Sequence, residues 1–110
     1  MAATAETIFE PFVRRGLFAS PESAAREMAR DYILRQIERH RAFIAALESK
    51  YGMNYRQFNA YLAARANTLA SAPNPELNRA LMLEEDDALT WQSSLEMLEA
   101  WLGINAEVDR

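Results

Sequence analysis

The stretch SPESAAREMARDYILRQIERHRAFIAALESKYG, residues 20–52, decides the fold class. Ser20 followed by Pro21 reads as a helix start. The serine hydroxyl can accept from an otherwise orphaned N–H, and proline fits the first helical position, where its missing N–H costs nothing. From there Ala25, Met28, Ala29, Tyr32, Ile33, Ile37, His40, Phe43, Ile44, Leu47 and Tyr51 recur mostly at spacings of three and four. That is one stripe along a helix. Gly52 supplies the stop. About 30 residues at about 1.5 Å each give a helix of about 45 Å. A chain of 110 residues buries too little surface to cover such a helix alone, so part of it is expected to meet a second copy. The expected dimer seam is Ala25, Ala29, Tyr32, Ile33, Ile37, Phe43, Ile44 and Leu47.

On the N-terminal side, residues 7–15 predict a short helix with Ile8, Phe9, Phe12 and Val13 on its apolar face. Pro11 either sits in its first turn or kinks it, and residues 4–10 are equally compatible with a short extended segment. On the C-terminal side, Tyr55, Phe58, Leu62 and Leu69 mark a third helix over 54–70. The linker SAPNP ends it, because its two prolines cannot continue a helix. A helical region then spans 75–102, either unbroken or pausing at the acidic run EEDD, residues 84–87, where Asp86 or Asp87 would cap a last helix. Ala88, Trp91, Leu95, Leu98 and Leu102 share a stripe there, with Trp101 beside it. INAEVDR reads as a frayed tail. Gly16, Gly52 and Gly103 each follow an amphipathic segment, as helix C-caps do. No apolar–polar alternation persists. The expectation is one all-α domain over 1–110, with four to five helices around one long central helix, forming a dimeric bundle.

Composition narrows the function classes. There is no Cys, so disulfides, zinc–thiolate sites and thiol catalysis are excluded and a reducing cytoplasm is expected. MAATAETIFEPF lacks the basic-then-apolar pattern of a signal peptide. No apolar run approaches the roughly 18 residues of a membrane span. Charge is unevenly distributed over a net −4: residues 14–41 hold seven basic against four acidic side chains, and residues 42–110 hold five against ten. Such asymmetry points to ends that face different partners, or to solvated helix faces.

Catalytic and cofactor motifs are not found. His40, the single histidine, lies on the apolar stripe with no orienting acid or nucleophile in a recognisable motif, which favours a packed or interface role. Glu84, Glu85, Asp86 and Asp87 are consecutive, so they project in different directions rather than converging on a cation. No Gly-rich phosphate loop exists. No enzymatic activity, cofactor or metal is expected. Arg14, Arg15, Arg26 and Arg30 are the candidate DNA phosphate contacts, since a duplex backbone calls for positive groups on one face. Glu22, Glu27, Asp31 and Glu38 are interleaved with them, and the mixed row also fits a face of exposed ion pairs. Trp91 and Trp101, with Glu85 and Asp86, are the candidate partner-binding residues, against a default core role for each tryptophan.

The segment FVRRGLFASPESAAREMARDYI, residues 12–33, resembles ParD-like and related ribbon-helix-helix antitoxins, in which a helix ends in Gly, a turn leads to Ser, and a second helix carries a Glu/Arg-rich face. The matching residues are Gly16, Ser20, Glu22, Ala25, Arg26 and Ala29. ERHRAFIAALESKYGMNYRQF with EEDDALTWQSSLEMLEAWL is similar to small prokaryotic antitoxin-like partner proteins. The resemblance implies a cytoplasmic homodimer that binds a small basic toxin-like protein and contacts DNA. One departure bears on this. Ribbon-helix-helix proteins read DNA with a strand preceding the first helix, and TAETIF before Pro11 has no alternating base-reading side chains. The expected function is an antitoxin-like binding protein, with a structural helical adaptor or homo-oligomeric module as the alternative.

Overall fold

The computed structural model describes residues 4–109, and every regular element among them is an α-helix. Four helices follow one another: α1 (Ala5–Arg14), α2 (Pro21–Tyr51), α3 (Tyr55–Ser71) and α4 (Pro75–Val108). Their starts are fixed by short polar side chains. Thr4 accepts from the Thr7 N–H at 3.2 Å, and Ser20 from the Ser23 N–H at 3.1 Å. Asn54 and Gln57 form a reciprocal capping box, each side chain accepting from the other's backbone N–H. Asn74 accepts from the N–H groups of both Glu76 and Leu77 at 3.1 Å. Each cap satisfies donors that helix geometry leaves without an internal partner.

Two helix ends require glycine. Gly16 has φ +75° and Gly52 has φ +64°, the left-handed region closed to most side chains. At Gly16 the chain makes a paired closure, Leu17 N–H to the Phe12 carbonyl and Gly16 N–H to the Val13 carbonyl, both at 3.0 Å.

The structure selects between open alternatives in two places and departs from expectation in a third. Residues 5–10 are helical, not extended, and α1 runs through Pro11. The Thr4 cap and the partly buried Phe9, Phe12 and Val13 hold it despite the missing N–H. α4 does not pause at residues 84–87, because these acids fall into helical phase and two of them find partners on the preceding helices. Gly103 is not a cap. It lies inside α4, which continues to Val108. A mid-helix glycine costs only about 1 kcal/mol, and the partly buried Trp101, Asn105 and Val108 on either side favour continuation. Arg110, the last residue of the expected frayed tail, lies outside the described residues, as do residues 1–3 of the stretch read for a signal peptide.

Contacts gather in two compact units. The first holds residues 4–37 and 101–109. Ala24, Ile33 and Ile37 are buried in it, Phe12 packs against Phe9 and Phe18, and Tyr32 meets Trp101 edge-on at 5.6 Å. The burial of Ile33 and Ile37 corrects their assignment to a dimer seam: each is 3% exposed within the single chain and has no surface left for a second copy.

The second unit holds residues 38–100. Its core is Phe58 and Leu62 from α3 with Leu81 and Trp91 from α4, flanked by Ile44, Leu47 and Tyr51 from α2. Phe58 lies at the centre, with its ring 4.2 Å from Tyr51 and 5.5 Å from Trp91. Burying side chains of this size stabilises by about 1.5–3 kcal/mol apiece. This packing fixes the rotation of α4, and therefore which of its residues face outward.

Candidate functional site: the outer face of α4

Successive residues on a helix are separated by about 100°. With Leu81 and Trp91 turned to the core of the second unit, Glu84 and Asp87 lie toward α2 and α3, while Glu85 and Asp86 lie toward solvent. The acidic run thus divides into two pairs with different partners.

Glu84 accepts from the Arg65 guanidinium at 3.1 Å, and the Tyr61 hydroxyl adjoins both. Asp87 accepts from the Lys50 ammonium at 2.7 Å and from the Tyr51 hydroxyl. These donors, Lys50 first and Tyr51 second, hold the Asp87 carboxyl below the usual aspartate range. Burial, and then the bond to Asp87, pushes the Tyr51 hydroxyl up. The hydrogen bond to Asp87 likewise raises Lys50. Glu84 and Asp87 therefore pin α4 to the two preceding helices.

Glu85 and Asp86 are exposed and have no ion-pair partner among the described residues. Within one turn of them stand Met82 at 59% exposure and Leu83 and Leu89 at 65%, and about three turns further along α4 Met97 is 42% exposed. Exposed apolar side chains grouped on one face mark a surface suited to a protein partner, and unpaired acids beside them give it a negative charge to match a basic one. Between α3 and α4 this surface dips into a groove of about 340 Å³ lined by Tyr55, Asn59, Glu85, Ala88, Leu89 and Gln92. The Gln92 amide nitrogen donates to Glu96 at 3.2 Å, which leaves its carbonyl oxygen as an acceptor.

The structure separates the residues singled out in the sequence. Glu85 and Asp86 belong to this outer face. Trp91 does not: it is fully buried, and this corrects its reading as a partner anchor. Trp101 is half-buried against Tyr32 in the other unit. Of the four candidate phosphate contacts, Arg14 pairs with Glu10 at 3.7 Å, Arg15 donates to the Pro11 carbonyl, and Arg30 lies 3.0 Å from Asp109. The last is an ion pair rather than a well-aligned hydrogen bond. Arg26 is exposed and has no such contact among the described residues. Of the expected seam, Ala29, Tyr32 and Phe43 are exposed, while Ala25, Ile44 and Leu47 are partly covered within the chain. His40 is half-buried with its ring 6.4 Å from Phe43. No group of three or more metal-ligating side chains converges among the described residues, and no helix there is long and apolar enough to cross a membrane.

Met82, Leu89, Tyr55, Asn59 and Gln92 were missed in the sequence. The signal was present for Met82 and Leu89, which fall out of phase with the stripe carrying Ala88, Trp91 and Leu95. The α3 contributions depend on how two helices pack and leave no local pattern. Comparison with family models, curated proteins and solved structures finds no match to this chain.

Proposed function

We propose that this chain is a non-enzymatic, antitoxin-like binding protein that engages a basic partner protein through the outer face of α4. The supporting observation is the juxtaposition of Glu85 and Asp86, unpaired and outward, with the exposed Met82 and Leu89. Apolar contact supplies affinity, and complementary charge speeds encounter and selects the partner. The reading keeps the toxin-binding half of the expected function and places it in a cytoplasm, which a chain without Cys suits. Homodimerisation belongs to the same proposal. Tyr32 in the first unit and Phe43 in the second keep 57% and 44% of their surface for it.

The test is co-purification of the tagged chain from its own cells, beside a variant carrying Met82→Asp and Leu89→Asp. One small basic protein at a fixed ratio, lost with the variant, is the expected result. Recovery of the chain alone from both would overturn this reading in favour of a structural helical module.

A further inference from the structure

The groove between α3 and α4 has the composition of a receptor for one particular side chain. Its apolar lining is Ala88 and the exposed Leu89. The aromatic ring of Tyr55 also lines it and packs 5.7 Å from Trp91. Its rim carries acceptors: the Glu85 carboxylate, which no cation neutralises among the described residues, and the side-chain carbonyls of Asn59 and Gln92. Glu84 and Asp87, the neighbouring acids, are already committed to Arg65 and Lys50 and do not compete for a cation here.

We infer that this groove is the docking site for an arginine side chain of the partner protein. The inference rests on the partner-binding reading given above and names the chemistry of its central contact. A guanidinium matches the groove better than an ammonium. It is planar, so it can lie against the Tyr55 ring, and its five donors suit a carboxylate and two separate carbonyl oxygens. Its methylene stem covers Ala88 and Leu89, as long cationic side chains do on apolar surface. An acidic or aliphatic side chain would leave either Glu85 repelled or the three acceptors unpaired. A second copy of α4 is a poor occupant as well. Beyond the two paired acids, α4 exposes Glu76, Glu85, Asp86, Glu96, Glu99 and Glu107 against Arg79, so like charges would meet.

The test uses the whole chain, isotope-labelled, titrated with N-acetyl-arginine N-methylamide and separately with the lysine and norleucine analogues. Saturable shifts confined to the Asn59 and Gln92 side-chain amides and the Leu89 methyls are expected with the arginine probe. Binding should weaken about tenfold in Glu85→Gln, the loss of one charge-assisted hydrogen-bonded contact. It should be unchanged in Glu99→Gln, which removes an acid of the same helix outside the groove. Because Glu85 is exposed and unpaired, Glu85→Gln should retain the wild-type spectrum elsewhere. Shifts that rise linearly, spread equally over the acids of α4, or are matched by the lysine probe would overturn the assignment. The two readings fail separately. A partner held equally well by wild type and Glu85→Gln would remove the arginine site and leave partner binding intact. Specific binding of the arginine probe beside a chain that co-purifies alone would do the reverse.

Discussion

Arg65 on α3 holds Glu84 on α4 at 3.1 Å, with the two side chains only 21% and 15% exposed. Glu85, the next residue, borders the open groove. Removing one partner of a mostly enclosed pair strands the other charge, whereas an exposed acid returns to water at little cost. Glu84→Ala is expected to destabilise by about 1–3 kcal/mol, between the values for surface and fully buried pairs. Glu85→Ala should stay within about 0.5 kcal/mol of wild type. Urea denaturation midpoints separate the two, and equal losses would contradict the division of the acidic run.

Asp87 sets an acid limb for stability. Its carboxyl is held below the ordinary range by Lys50 and then Tyr51, so the stability it contributes is complete above the unfolded value of about 3.9 and is lost as pH falls through the folded one. Tyr51 and Lys50 are shifted up, so their share is complete below their ordinary values of about 10 and is lost as pH rises through the folded ones. Melting temperature against pH should therefore form a plateau that falls at both ends. Asp87→Asn should lower the plateau and make the acid limb shallower. An unaltered acid limb would show that Asp87 is not coupled to folding.

Trp91 fills the centre of the second unit at 0% exposure, yet its indole N–H has no acceptor among the described residues. Its packing and its polar atom therefore act in opposite directions. Trp91→Ala should cost about 3–5 kcal/mol through lost burial and the cavity left behind. Trp91→Phe gives back part of that cost, because it keeps an aromatic ring beside Phe58 and removes the unsatisfied donor. Calorimetry should find Trp91→Phe well above Trp91→Ala in melting temperature. Equal losses would mean the N–H is satisfied, and its bond is what matters.

What was legible in the sequence is what chemistry makes local. Ser20–Pro21 and Asn74–Pro75 start α2 and α4 because a capping oxygen and a proline act within one turn. Gly52 ends α2 because its backbone needs φ +64°. Trp91 sits on the stripe read from spacing, and Ala88, Trp91 and Leu95 of that stripe do pack in the core, whereas Leu102 is 40% exposed. The fate of Gly103 was not legible. A glycine can end a helix or be carried through one, and the outcome depends on packing by residues on both sides of it. Nor was the pairing of Arg65 with Glu84, which spans 19 residues of sequence. The candidate site lies at this boundary. Glu85 and Asp86 were visible as acids, but their outward direction follows from Leu81 and Trp91 being buried. The arginines show the same limit, since Arg30 has its acid in Asp109, 79 positions along the chain at 3.0 Å.

That last contact bears on DNA binding. Residues 5–14 form α1 rather than a strand, so the described residues offer no β-ribbon to enter a groove. Three of the four candidate arginines already contact a carboxylate or a carbonyl. Phosphate neutralisation needs several free cations acting together, because affinity scales with the number of counterions released. Of the four, only Arg26 is left without such a contact, and one cation does not meet that need. Duplex DNA should therefore not be retarded by this chain at physiological salt. Any retardation at low salt should fade steeply as salt rises, without sequence preference. The paired Arg26→Glu and Arg30→Glu variant should remain folded, since the Arg30–Asp109 contact is half-exposed and pairs of that kind contribute at most about 1 kcal/mol. A gel shift in the wild type that withstands physiological salt and disappears in this variant would restore the arginines as a DNA surface and add nucleic acid to the partners of the chain.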